Sequence, residues 1–341
     1  MNIALIAIMA AAAASMPAEV PDTAIYEREA DTFLASLPDG MQDRQTVAVS
    51  RAIAGDSSQL NSIRASRNKP APLSGGCKAA DILIPSPGYS MPARVYTPSA
   101  PEALSLPVLV YYHGGGWTFG SINSCAALCD SLASTGSMIV VAVDYRLAPE
   151  HPYPAPLDDA SAAFSYALAH AAEWGGDPAK VSVGGDSSGG NLALAVALKA
   201  ISEETAVPAS IAAIYPVTKA YATPGGSWDG YARSYGLDAS LMEAFNRAYT
   251  QGDEATSRNP LVSPGDADDA WLAKMPPTLI VSASRDILLD QGRELAGRLH
   301  AAGVDVSNPV IPGAVHLFAT VAGQPAAFRT AASAITTLLA R

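Results

Sequence analysis

Residues 181–200 read VSVGGDSSGGNLALAVALKA: an apolar strand, a tight glycine-bounded turn and an apolar helix, with no spacer between them. A strand that feeds a helix through so few residues must turn sharply. It does so where small residues let backbone pack against backbone. Gly185 and Gly189 bracket Ser187 at the centre of a G-x-S-x-G pentapeptide, and a side chain at either glycine would collide with its neighbours. The serine is thereby held on a strained backbone at the start of a helix, whose free N–H groups and dipole favour negative charge beside it. Ser187 is the candidate nucleophile, and the backbone N–H of Ser188 is placed to donate to an oxyanion. Taken alone the pentapeptide is common in Gly/Ser-rich turns; its setting between strand and helix gives it meaning.

A second segment, VLVYYHGGGW at 108–117, runs an apolar strand straight into three glycines. Acyl transfer develops negative charge on oxygen, and losing one pre-aimed N–H donor lowers the rate by about 100- to 1000-fold. Glycines let such a loop approach a substrate closely and turn its amides inward. A merely flexible turn would not need the flanking His113 and Trp117.

Three motifs taken together, HGGGW at 113–117, DYRLAPEHPYPAPLDD at 144–159 and GDSSGG at 185–190, resemble the hormone-sensitive-lipase-like branch of esterases, also called bacterial family IV. The resemblance runs from about residue 79 to the C-terminus. It implies an α/β-hydrolase fold: a mostly parallel eight-stranded sheet flanked by helices, with a helical cap. It also implies oxyanion donation by the amides of Gly115, Gly116 and Ser188. The family usually has Ala where Ser188 stands; only the backbone is needed, so the role survives.

A serine hydroxyl needs a base, and the base needs a carboxylate to hold its tautomer and steady its charge. In this fold the chain order is Ser, then Asp or Glu, then His. His300 and His316 follow Ser187. His300 lies in QGRELAGRLHAAG, which reads as an amphipathic helix, whereas His316 follows a short strand and a Gly-containing loop. His316 is therefore the expected base, and the family has a His at this point. For the acid, PPTLIVSASRDILLDQGREL offers Asp286 just after a strand and Asp290 at the start of the next helix, where it would serve as a cap. The family pattern D-x-L-x-D-x-G assigns the catalytic role to the first, Asp286.

Short apolar runs alternate with helical stretches, as in an α/β sheet. Strands are expected near 81–84, 93–96, 108–112, 138–143, 181–183, 211–215, 278–282 and 310–311. Helices are expected near 123–133, 157–172, 189–201, 291–302 and 326–340. Residues 79–217 and 260–341 make the expected catalytic core. Residues 17–75, polar and helical with a linker at 68–76, form the first part of a cap. Residues 218–259 break the alternation with two expected helices and many aromatics, and form its second part. Trp117, Asp186, Trp228 and Tyr231 are the candidate substrate-binding residues, with ordinary core packing equally open for the aromatics and the orienting of neighbouring loops for Asp186. Asp144, Arg146 and Glu150 read as a structural polar network.

The chain has 341 residues, 49% apolar and 16% charged, with a formal net charge of −11. Phosphate backbones would repel such a chain and no basic cluster opposes this, so nucleic acid is excluded as a partner and a neutral ester is the expected substrate. Cys77, Cys125 and Cys129 are too few for a disulfide framework and read as buried thiols. No metal-ligand spacing, P-loop or dinucleotide fingerprint occurs, so no metal or cofactor is expected. The apolar run at 1–15 reads as a signal peptide or an N-terminal helix, too short to span a bilayer. Export is slightly favoured over a cytoplasmic location. The family resemblance implies a carboxylesterase for short- to medium-chain acyl esters, and a homodimer as in many relatives. An amidase, a peptidase or a specific deacetylase would use the same triad. A non-catalytic binding role is disfavoured because all three triad residues are present.

Overall fold

The structure, a computed structural model, describes residues 23–341. The expectations for residues 1–15 lie outside them. Three helices open the described chain: α1 (Ala24–Ser36), α2 (Met41–Ile53) and α3 (Ser58–Arg67). α1 stops where Leu37 precedes Pro38 and swings out to an extended ψ of 136°. α2 buries Gln42, Gln45, Ala48, Val49 and Ala52, one stripe at helical spacing.

The sheet follows. It contains β1 (Cys77–Ser86), β2 (Tyr89–Pro98), β3 (Leu106–Tyr112), β4 (Ile139–Val143), β5 (Gly176–Asp186), β6 (Ile211–Ile214), β7 (Thr278–Arg285), β8 (Val306–Ser307) and β9 (Val310–Val315). The order is β1-β2-β4-β3-β5-β6-β7-β8, with β9 also on β7. β2 lies antiparallel to both β1 and β4, and the other pairs are parallel. There are nine strands where eight were expected. The physical reason lies at Asn308 and Pro309, which separate β8 from β9. Proline has no N–H to give a ladder, and the Asn308 side chain substitutes by donating to the Ile280 carbonyl at 2.6 Å. The first two strands are also much longer than their apolar runs: β2 alternates buried and more open side chains, whereas residues 78–81 of β1 are exposed on both faces and carry no apolar signal.

The remaining helices are α4 (Ala126–Ala133), α5 (Ala155–His170), α6 (Ser188–Ser202), α7 (Gly226–Gly230), α8 (Ala239–Thr250), α9 (Glu254–Ser257), α10 (Asp269–Leu272), α11 (Leu289–Ala301) and α12 (Pro325–Leu339). Side chains alternate across β3: Val108, Val110 and Tyr112 join a core with α5, α6 and α11, while Leu109 and Tyr111 join a second core with α4 and α12. The three cysteines are buried and unpaired, all in this second core. α2 packs against α8, which brings the N-terminal helices onto the 218–259 segment. The Gln42 amide oxygen accepts from the Asp238 N–H at 2.7 Å and fastens the two together. Among the described residues no helix is long and apolar enough to cross a membrane.

Candidate active site

β5 enters the turn at Asp186 and α6 leaves it at Ser188, with Ser187 between them at φ 54° and ψ −117°. This strained conformation is held by its surroundings. The Ser187 N–H donates to the Ile214 carbonyl at 2.9 Å, while its own carbonyl accepts from Asn191 and Val217. A Cβ on Gly189 would fall 1.9 Å from the Tyr112 carbonyl oxygen, and one on Gly185 2.4 Å from the same atom. Both glycines are thus required by backbone packing.

Three side chains meet above the carboxyl ends of β5, β7 and β9. His316 Nε2 lies 3.1 Å from Ser187 Oγ, and Nδ1 lies 2.6 Å from Asp286 Oδ2. Ser187, Asp286 and His316 are 6%, 1% and 2% exposed, so little water competes for these bonds. Asp286 is held in turn, its Oδ1 accepting the Leu288 N–H at 3.0 Å. The His316 ring rests against Tyr215 at 4.4 Å between centroids. His316, not His300, meets Ser187; His300 lies exposed on α11. Asp290 does not take part either. Its carboxylate accepts the Ser227 N–H at 2.7 Å and so pins α7 to α11.

The glycine loop runs beside the serine. Among the described residues, the N–H groups of Gly115, Gly116 and Ser188 have no protein acceptor. Gly115 and Gly116 have φ of 124° and 61°, open to glycine at little cost. Asp186 ties loop to turn, its Oδ1 accepting from Gly114 N–H at 2.9 Å and Tyr111 O–H at 3.0 Å. Burial pushes the Asp186 carboxyl up to about 6, and those two donors limit the rise.

These groups open into a cavity of about 340 Å³. The end at Ser187 and His316 is polar. Phe119, Leu237, Leu241, Phe245, Leu317 and Val321 supply apolar wall, and Gln45 and Arg67 add polar groups from α2 and α3.

A family described as α/β hydrolase fold matches residues 109–320. The chain belongs to that family. It falls in the hormone-sensitive-lipase-like branch that its motifs resemble. Among curated relatives it is 37% identical to the carboxylic ester hydrolase LipN of Mycobacterium tuberculosis, over 70% of this chain and 63% of that one. It therefore spans less than two thirds of LipN's length. It is 39% identical to the carboxylesterase NlhH of the same organism, over 66% of this chain and 70% of that one. Among solved structures, a thermostable esterase from Pseudomonas putida superposes with a TM-score of 0.80 at 30% identity, covering 92% of this chain and 97% of that chain.

Several expected residues of this α/β hydrolase lie elsewhere. Trp117 does not line the cavity; it is fully buried and stacks on Tyr249 of α8 at 4.3 Å, bracing the glycine loop from behind. Trp228 is buried with α7 in the main core, and Tyr231 packs edge-on against Tyr235, both away from the lining. Asp186 does reach the lining, with its Oδ1 occupied by Gly114 and Tyr111. The segment at 144–159 is not one network. Arg146 makes a two-pronged pair with Asp159, and Glu150 pairs with Arg64. Arg64 was not anticipated. It also donates to the carbonyls of Thr118 at 2.9 Å and Ala148 at 2.8 Å, clamping α3 onto the end of the glycine loop. The wall residues of α2 and α8 were missed as well. Their signal was helical periodicity, which marks a buried face without saying that it faces a cavity.

Proposed function

We propose that this chain hydrolyses short- to medium-chain carboxylic esters through Ser187, His316 and Asp286. The observation that carries this reading is the continuous relay from Ser187 Oγ through His316 to Asp286, at 3.1 and 2.6 Å, beside three unoccupied amides. His316 Nε2 takes the serine proton as Oγ attacks the ester carbonyl. The amides of Gly115, Gly116 and Ser188 hold the resulting oxyanion. His316 then gives its proton to the departing alcohol, leaving an acyl-serine. A water, deprotonated by the same imidazole, attacks that acyl group, and the acid leaves as Ser187 regains its proton. Asp286 keeps the Nδ1–H tautomer in place and balances the imidazolium formed in each half-reaction.

In this reading α1–α3 and residues 218–259 act together as the cap, since Met41, Gln45 and Arg67 from the first and Leu237, Leu241 and Phe245 from the second wall the cavity beside the reacting groups. The cavity, about 340 Å³, sits at the small end of the range for small-molecule sites, roughly 300–1,000 Å³, which supports short acyl chains over long ones.

The test is initial rates on p-nitrophenyl esters from acetyl to palmitoyl, with Ser187→Ala as the blank. The expected profile peaks at short or medium chains and vanishes in the variant. A folded protein that turns over none of them would refute the esterase reading.

A further inference from the structure

Gln45 is 5% exposed, lines the cavity, and has no hydrogen-bond partner for its side-chain amide among the described residues. One turn earlier on the same helix, Gln42 is also buried, but its amide oxygen is taken by the Asp238 N–H. The Gln45 amide is reached from the cavity rather than sealed in the core, so its donors and acceptor are open to a ligand group there. Arg67, at the end of α3, lines the same cavity. Its guanidinium lies 5.1 Å over the Phe119 ring and meets no carboxylate among the described residues. One turn earlier on α3, Arg64 is fully paired. Arg67 is exposed overall, yet the protein around its guanidinium lowers its pKa from the ordinary arginine value by desolvation. Asp186, the carboxylate on the lining, has its Oδ1 bound by Tyr111 and Gly114 and makes no ion pair with Arg67.

We infer that Gln45 and Arg67 form a carboxylate-binding subsite, so that preferred substrates are half-esters of dicarboxylic acids. The inference rests on the esterase reading and names the substrate class of that same site. An arginine fork takes both oxygens of a carboxylate, and the glutamine N–H₂ adds a further donor. The polar groups of the cavity then fall into two sets. One set acts on the ester carbonyl and the other holds the far end of the acyl chain, with apolar wall between them for methylenes. A net charge of −11 gives an anion no long-range attraction, so selectivity has to come from these local contacts.

The test uses p-nitrophenyl hydrogen adipate and its neutral isostere, in which an isopropyl group replaces the carboxylate. The readout is the ratio of their kcat/KM values in the full-length enzyme. Wild type should favour the half-ester. Arg67→Met should lower the ratio by about tenfold to a hundredfold, the usual worth of a charge-assisted hydrogen bond. Arg67→Lys should restore part of it, and Gln45→Leu should lower it by a smaller factor. Added salt should lower the wild-type ratio as well. A ratio below one in wild type, or one unmoved by both Arg67→Met and Gln45→Leu, would overturn the subsite. If the isostere is still cleaved and Ser187→Ala is inert, the esterase reading survives that result. Failure to cleave either ester, or any p-nitrophenyl acyl ester, would bring down the esterase reading and the subsite with it.

Discussion

His113 opens the glycine loop with none of its surface exposed, so its imidazole meets no water that could solvate a second proton. Burial pushes its pKa down to about 4, against a partial opposing pull from the Gly114 carbonyl, 2.9 Å from Nδ1. The ring is neutral, stacked on Tyr145 at 4.3 Å, and its 3.9 Å approach to Asp144 is therefore no ion pair. The consequence for stability follows from linkage. The unfolded chain takes up this proton near pH 6.5 and the folded one only near 4, so falling pH in that window favours unfolding. Asp186, with its carboxyl pushed up to about 6, acts in the opposite sense and adds stability as pH falls through that value. The two effects separate in a variant. His113→Asn keeps a donor near the Nδ1 position and removes the titration. Its stability deficit against wild type should shrink by about 2 kcal/mol between pH 7 and pH 5 in denaturant melts. A deficit that stays constant with pH would show that His113 is not held neutral by burial.

At the scale of elements, the glycine loop is gripped from two sides by helices that carry no catalytic group. Tyr249 of α8 stacks on Trp117, and Arg64 of α3 holds the Thr118 and Ala148 carbonyls. Arg64 is thus a positioning residue. Arg64→Met should lower stability by about 1–3 kcal/mol through the two carbonyls left without donors. It should also lower kcat on a short p-nitrophenyl ester by roughly tenfold or more with little change in KM, because displaced amides bind the transition state less well. Arg64→Lys should recover little, lacking the planar fork. An unchanged kcat in a folded Arg64→Met protein would remove the positioning role.

What the sequence made legible divides along the same line. The turn at Gly185–Gly189, the glycine loop and the order of Ser187, Asp286 and His316 were readable because their chemistry demands particular residue types at particular places. The meeting of those three side chains in the structure follows from parallel strands that deliver them to one edge of the sheet. For Trp117 and Trp228 the sequence left pocket lining and core packing equally open, because an aromatic residue near a motif does either; the structure has both buried. Arg64, Gln45 and Arg67 were invisible for a different reason. Their partners lie far along the chain, as with Arg64 and Glu150, or in the cavity, and local pattern carries no information about either. The split of the last strand at Asn308 and Pro309 belongs to the same class, since a side chain there replaces a backbone donor.

At the scale of the whole molecule, one apolar cluster joins Ala48, Val49 and Leu60 of the N-terminal helices to Val110 and Val141 of the sheet and Phe245 of α8. Helices that share a core with the sheet cannot melt far ahead of it. Denaturant unfolding followed by activity, near-ultraviolet and far-ultraviolet circular dichroism should therefore give coincident midpoints. An earlier loss of activity and near-ultraviolet signal, with helix and sheet content retained, would mean that α1–α3 and α8 come apart as a separate unit.

The cavity has a further consequence for how such an enzyme can change over generations. Gln45, Arg67, Leu241 and Phe245 sit on helices that contribute no hydrogen bond to the sheet's ladders, whereas Gly115, Gly116, Ser187 and His316 lie in or beside strands whose register depends on their neighbours. On the proposed reading, drift at Gln45, Arg67 and Leu241 alters which acid is admitted and drift at the second group abolishes turnover, while Phe245, packed against Gly116 and Phe119, is tied to both. The fold thus separates a heritable choice of diet from a fixed means of digestion.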